Sequence, residues 1–221
     1  TVKVKIGAAN DDERIAEVFR IIPDARLRLD ANGLFSIHQA QEFLLALYNK
    51  YGHHIEYVEQ PCASLAENGA LSLPFPIAID ENLRLGEDIR EINKVADVVI
   101  VKVAPLGGIT RALNIIAHLD KPVVISSALE SSVGLSAGIA LAAHLAEDVI
   151  CGLGTAALLD GDIAKNSLLS KNGVVSVEQI DVDQDAVAKF RLPQERIDWW
   201  HNRIRSAFES LQRKNEREKS I

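Results

Sequence analysis

Two hydrophobic rhythms alternate along the chain. Short, nearly continuous apolar runs lie at 26–30 (RLRLD), 55–61 (IEYVEQP), 76–80 (PIAID) and 98–102 (VVIVK), and an alternating apolar–basic run opens the chain at 2–6 (VKVKI). Between them, apolar residues recur every three or four positions: Ile15, Val18, Phe19 and Ile22, then Ala40, Phe43, Leu44 and Leu47. The first rhythm predicts strands, the most apolar of them covered on both faces; the second predicts amphipathic helices. Punctuation agrees. Asp11 or Asp12 is placed to cap the first helix and Pro23-Asp24 to end it, Ala31-Asn32-Gly33 reads as a turn, and Ser36 with Gln39 has capping-box spacing. The alternation continues with a short helix inside 62–73, another over 86–95 with Ile89 and Ile92 inward, a helix over 110–119, a strand at 123–126, a small-residue helix over 132–146 and a strand at 149–152.

Strands and helices in strict turn predict βαβ units and a parallel sheet. Seven strands are one short of a TIM-type (β/α) barrel, and the chain opens at Thr1 inside a strand and contains no methionine. The expectation is therefore that the first barrel strand lies upstream of Thr1. Residues 1–165 are expected to form the barrel domain, strands two to eight. Residues 166–221 are expected to form a tail packing on the barrel or on a cap: a strand at 174–180, a helix at 193–211 with one of Trp199 and Trp200 facing inward, and a frayed charged end over 212–221.

Strand ends in such a barrel converge on one mouth. Three successive strands here end in acids, Asp30, Glu59 and Asp80, with Lys3 and Lys5 on the strand before and Lys102 closing the strand after. Clustered carboxylates repel, and an all-oxygen set selects a hard cation, Mg²⁺ first and Mn²⁺ second. A lysine beside a metal and a second lysine is a base whose pKa can be lowered towards neutrality. Lys102 sits in an apolar run where an unpaired ammonium is costly, so a partner is expected for it. Together these groups suit removal of a proton alpha to a carboxylate.

Composition narrows the classes. A net charge of −7 over 221 residues excludes a general nucleic-acid binder, and no apolar run is long enough to span a membrane. The only cysteines, Cys62 and Cys151, lack metal-ligand spacing and point to a reducing compartment, the cytoplasm. His38, His118 and His144 fall inside helices, His53-His54 has no partner spacing, Cys62 reads as a buried thiol, and Gly107-Gly108 lacks the rest of a phosphate loop.

The order KxK, DANG, EQP, IDEN and a strand-end lysine resembles the barrel domain of the enolase superfamily, the muconate-lactonising-enzyme subgroup in particular. The segments 125–134 (ISSALESSVG) and 151–159 (CGLGTAALL) are similar to the o-succinylbenzoate synthase family of menaquinone biosynthesis. The resemblance implies that Asp30, Glu59 and Asp80 hold Mg²⁺, that Lys5 is the base and then the acid, and that Lys102 lies on the opposite face and stabilises an enediolate. It implies that Lys3 tunes Lys5 and meets a small-molecule carboxylate substrate, that Ser126, Ser127 and Gly152 border its succinyl end, and that Asn32 and Glu81 support the ligands. It also implies a capping domain upstream. Two other readings stay open: an N-succinylamino-acid racemase or dipeptide epimerase using both lysines, and a barrel fragment without catalysis. Oligomeric state is not legible.

Overall fold

The computed structural model describes residues 1–145 and 149–219, with side chains described to residue 213. Six strands form one parallel sheet in chain order: β1 (Val2–Lys5), β2 (Leu27–Asp30), β3 (Ile55–Glu59), β4 (Ile77–Ile79), β5 (Val98–Val101) and β6 (Val123–Ile125). Helices follow the strands: α1 (Asp11–Ile21), α2 (Ile37–Tyr51), α3 (Leu65–Gly69), α4 (Glu81–Leu85), α5 (Ile89–Val95), α6 (Val103–Leu106), α7 (Ile109–Ile116) and α8 (Ser132–Leu145). Beyond them lie α9 (Gln184–Lys189) and α10 (Gln194–Lys219).

Each strand sends alternate side chains to opposite faces. Val4, Leu27, Leu29, Val58, Ile77, Ile79, Val99, Val101, Val123 and Ile125 join the large core beneath the helices. The other positions meet inside the curl, where Tyr57, Ala78, Ile100 and Val124 form a second, smaller cluster. Both faces are thus buried, which is why these strands read as continuous apolar runs. Arg28 of β2 reaches across the curl to donate to the Ile150 carbonyl at 2.6 Å, so the sheet curls into a half-barrel. Register carries the inward series on past the apolar layer: Lys5 lies beside Asp30, and Asp30 beside Glu59. The last inward residue of a strand is therefore the polar one at the mouth.

Several expectations are corrected. Residues 149–152 form no strand; a single parallel bridge, Ser126 to Gly152, marks the seventh position. There Gly152 donates its N–H to the Ile125 carbonyl and accepts from the Ser127 amide. Residues 174–180 form no strand either, since their backbone makes only local bonds such as Lys171 with Val174. The last helix runs on through the stretch expected to fray, to Lys219; residues 220–221, like Ala146 at the expected end of α8, lie outside the described residues. Trp199 and Trp200 are both exposed, at 43% and 42%, packed edge-on against each other and beneath Arg196 rather than on the barrel. Asp11 does not cap α1, whose cap position is Asn10; its carboxylate instead accepts from the Gly7 and Ala8 amides. No described helix is long and apolar enough to cross a membrane.

Candidate active site at the barrel mouth

The strand-end residues form one row. Lys3 donates to Glu59 Oε2 at 2.6 Å and lies 2.8 Å from Asp30 Oδ2. Lys5 reaches the same Asp30 oxygen at 2.6 Å and also donates to Asn32 Oδ1. At the other end Lys102 meets Asp80 Oδ2 at 2.5 Å, the partner its apolar run required. Asp30, Glu59 and Asp80 are all buried. The lysines differ: the Lys5 side chain is 59% exposed and that of Lys102 only 16%.

Local structure fixes this row. Asn32 takes a left-handed φ of 47°, which turns its amide onto Asp30 Oδ1 at 3.0 Å, while its side chain donates to Glu81 Oε1 at 3.0 Å. Asn32 thus links Asp30 and Lys5 to Glu81 through hydrogen bonds. Beneath the acids lies a buried amide network that the sequence reading missed. Gln60, at φ 42°, accepts from the backbone amides of Asp80 and Asn82, and its own amide donates to the Cys62 carbonyl and to Asn82. Asn68 joins it through both the amide and the carbonyl of Cys62. Gln60 therefore ties the end of β3 to that of β4. The glutamine of EQP was the available signal. Cys62 itself is a structural thiol, buried and pushed up to about 11 by that burial.

Burial pulls the Lys3 pKa down, but Glu59 and Asp30 beside it win and hold it above the usual lysine value. Burial acts the opposite way on Asp30, yet Lys3 and Lys5 keep that carboxyl below its usual range. Glu59 is pushed up to about 7, first by burial and then by the charge of Asp30, which Lys3 only partly offsets. Its Oε1 is buried with no hydrogen-bond partner, and so is Glu81 Oε2.

Among the described residues, no three Asp, Glu, His or Cys groups converge closely enough to hold a metal ion; the three acids are instead engaged by ammonium groups. The donor set nevertheless fits a hard cation: three buried carboxylates on adjacent strand ends, one with an orphaned oxygen and a raised pKa that a positive charge would relieve.

Ser126, Gly152, Lys3, Glu59, Arg28 and Tyr57 border a cavity of about 120 Å³ inside the curl. Ser127 lies outside that lining, in the loop after β6, bonded to Glu130 and Thr155. Neither Glu130 nor Thr155 was singled out from the sequence.

A parallel sheet with its acids and lysines gathered at the carboxyl ends of the strands defines a class, and comparison agrees: the chain belongs to the enolase C-terminal domain-like family, whose model matches residues 1–181. Within that family it is similar to o-succinylbenzoate synthases. It is 38% identical, over 96% of its length, to those of Mycobacterium leprae (strain TN) and Thermobifida fusca (strain YX), and it spans 65% and 70% of those two proteins. Among solved structures, MenC from Desulfotalea psychrophila LSv54 superposes with a TM-score of 0.65 at 29% identity, over 79% of this chain and 52% of that one. The muconate lactonizing enzyme from Pseudomonas putida, 22% identical with a TM-score of 0.72 over 85% of this chain and 57% of that one, shares the fold.

Proposed function

We propose that the protein containing this chain is an Mg²⁺-dependent o-succinylbenzoate synthase, a hydro-lyase that converts a succinyl-hydroxycyclohexadiene carboxylate to 2-succinylbenzoate. The observation that carries this reading is the row Lys5, Lys3, Asp30, Glu59, Asp80, Lys102 on consecutive strand ends. The similarity to o-succinylbenzoate synthases over 96% of the chain supports the choice of substrate.

Asp30, Glu59 and Asp80 would hold the cation. When bound, it supplies a fixed positive charge for a substrate carboxylate and lowers the cost of charge developing there. Lys5 is the base: it is the lysine most open to the mouth, and Asn32 steers its amine. It takes the proton alpha to the carboxylate. The electron pair moves into the carboxylate as an enediolate, then returns to expel hydroxide from the neighbouring carbon. The Lys5 ammonium gives its proton to that hydroxide as it leaves, so water departs and the ring becomes aromatic. Lys102 faces the developing charge from the far end of the row, and Lys3 orients the substrate carboxylate. The loop at Ser126 and Ser127, together with Gly152, borders the succinyl end. A racemase on the same site would need both Lys5 and Lys102 as bases, one on each face, whereas the dehydration needs proton transfer only on the Lys5 side. We assign residues 1–165 to the catalytic barrel and 166–221 to a tail that packs on the barrel or on a cap.

The test is an Mg²⁺-dependent assay of the full-length protein with the cyclohexadiene precursor and, separately, with an N-succinylamino acid in heavy water. Aromatic product is the expected result. Deuterium exchange into the amino acid without dehydration would replace this reading with the racemase.

A further inference from the structure

The loop between β6 and α8 is built around one hydroxyl. Ser127 Oγ donates to Glu130 Oε2 at 2.7 Å and accepts from the Leu129 amide and from Thr155 Oγ1, each at 2.8 Å. A serine hydroxyl has one proton to give and two lone pairs to receive with. All three capacities of Ser127 are therefore taken inside the protein. The same Glu130 oxygen accepts from the Ala128 amide at 2.8 Å. Between these bonds Leu129 sits at φ 68°, a left-handed conformation unfavourable for leucine, and its side chain is exposed, so packing does not hold it there. Gly134 on α8 leaves the space that Glu130 occupies: a Cβ there would come within 2.7 Å of the Glu130 Cβ. Thr155 belongs to the following loop, so its bond joins two loops at the mouth. Ser126, one residue earlier, lines the cavity, and among the described residues its hydroxyl has no bonding partner.

We propose that Glu130 is a positioning residue for the substrate: through Ser127 and the Ala128 amide it fixes the shape of the 126–131 loop, and the hydroxyl this loop offers to the substrate is that of Ser126, not Ser127. The substrate class follows from the synthase reading above; the clamp itself does not depend on it. Glu130 touches no substrate. It acts by holding a turn that would otherwise relax.

The experiment uses the full-length protein and four single variants, Ser126→Ala, Ser127→Ala, Glu130→Gln and Glu130→Ala, with the Ser127→Ala/Glu130→Ala and Ser126→Ala/Glu130→Ala doubles. Steady-state kinetics on the cyclohexadiene precursor is paired with hydrogen exchange at the Ala128 and Leu129 amides. Ser127→Ala and Glu130→Ala should each raise KM by roughly tenfold with a smaller change in kcat, and their double variant should be no worse than either single. Glu130→Gln, which keeps an acceptor oxygen, should restore most of the loss. Ser126→Ala should raise KM independently and multiply with Glu130→Ala. Both amides should lose protection in Ser127→Ala and Glu130→Ala and keep it in Ser126→Ala. If Ser127→Ala raises KM while Glu130→Ala changes neither KM nor amide protection, the Ser127 hydroxyl is on the substrate and the proposal is overturned. If the unmodified protein turns over no precursor, the synthase reading falls. The exchange measurement still decides the clamp, because unchanged protection in Glu130→Ala would end it.

Discussion

The mouth of this barrel has two halves with different physics. From β1 to β5 the strand ends carry full charges, and each buried acid is held by an ammonium, from the adjacent strand for Asp30 and Asp80 and from β1, two strands away, for Glu59. After β6 the mouth is made of hydroxyls and backbone amides, gathered into a loop by one carboxylate on its outer side. Charge in a buried site is expensive unless matched, so the first half responds to protons and cations. Hydroxyls and amides bond only within narrow angles, so the second half responds to shape. In the proposed reaction the charged half would move the proton and the neutral half would choose the molecule that loses it.

The comparison is broken most severely at Lys5. Replacing it with Ala should cut turnover by about 10²–10⁴-fold, the usual contribution of a positioned base, while circular dichroism and Mg²⁺ binding stay close to those of the parent. Near-parental turnover in that variant would remove Lys5 from its role. Next comes Lys102→Met, which leaves buried Asp80 without its ammonium. Loss of one partner of a buried pair costs on the order of 3–5 kcal/mol, so the melting temperature should drop, and saturating Mg²⁺ should recover part of the loss by supplying the missing charge. A drop that Mg²⁺ does not touch would mean that Asp80 is no ligand.

Glu59 sharpens the same half. Its carboxyl is raised from 4.5 to about 7, so the folded chain holds that proton more tightly than the unfolded chain does. Ionising it therefore costs stability. The cost begins as pH rises past the unfolded value and is fully present above the folded one. Without metal, Glu59→Gln should match the parent near pH 4, gain on it between about pH 4.5 and 7, and stay ahead above that range. With Mg²⁺ the order should reverse, because the parent alone can offer the charge. Thermal unfolding across pH, with and without Mg²⁺, reads both signs. A parent that stays ahead at pH 8 without metal would show that Lys3 fully compensates Glu59.

How much of this was legible differs between the halves for the same reason. A strand buried on both faces announces itself as an apolar run, and the residue that breaks the run at its end is the inward one at the mouth. Asp30, Glu59, Asp80 and Lys102 could therefore be read off by position. Which ammonium meets which acid was not legible, because register decides it: Lys3 bridges two acids only since β1 lies beside β2 in this offset. The neutral half gave little warning. Its shape turns on a leucine at positive φ, a conformation that no residue preference predicts, and on Thr155, 28 positions beyond the serine it bonds. The tail misled for a third reason. Its apolar residues have the helical period, yet Trp199, Trp200, Ile204 and Phe208 are all exposed; periodicity states that a face exists, not that something in the same chain covers it.

The smallest expected effect tests whether the two halves are separate at all. Thr155→Val keeps the size of the side chain and deletes its bond to Ser127. A net hydrogen bond is worth about 0.5–1.5 kcal/mol, so KM should rise roughly threefold to tenfold. Mg²⁺ affinity should not change, because no bond or ion pair of the described residues links Thr155 to Asp30, Glu59 or Asp80. Independent sites add in free energy, so a Thr155→Val/Glu59→Gln double variant should lose in KM what the first loses and in Mg²⁺ affinity what the second loses, within about 0.5 kcal/mol. A larger coupling would show that the loop after β6 and the acids move together. The cavity that Ser126, Gly152, Lys3 and Glu59 all border would then be the place where one half feels the other.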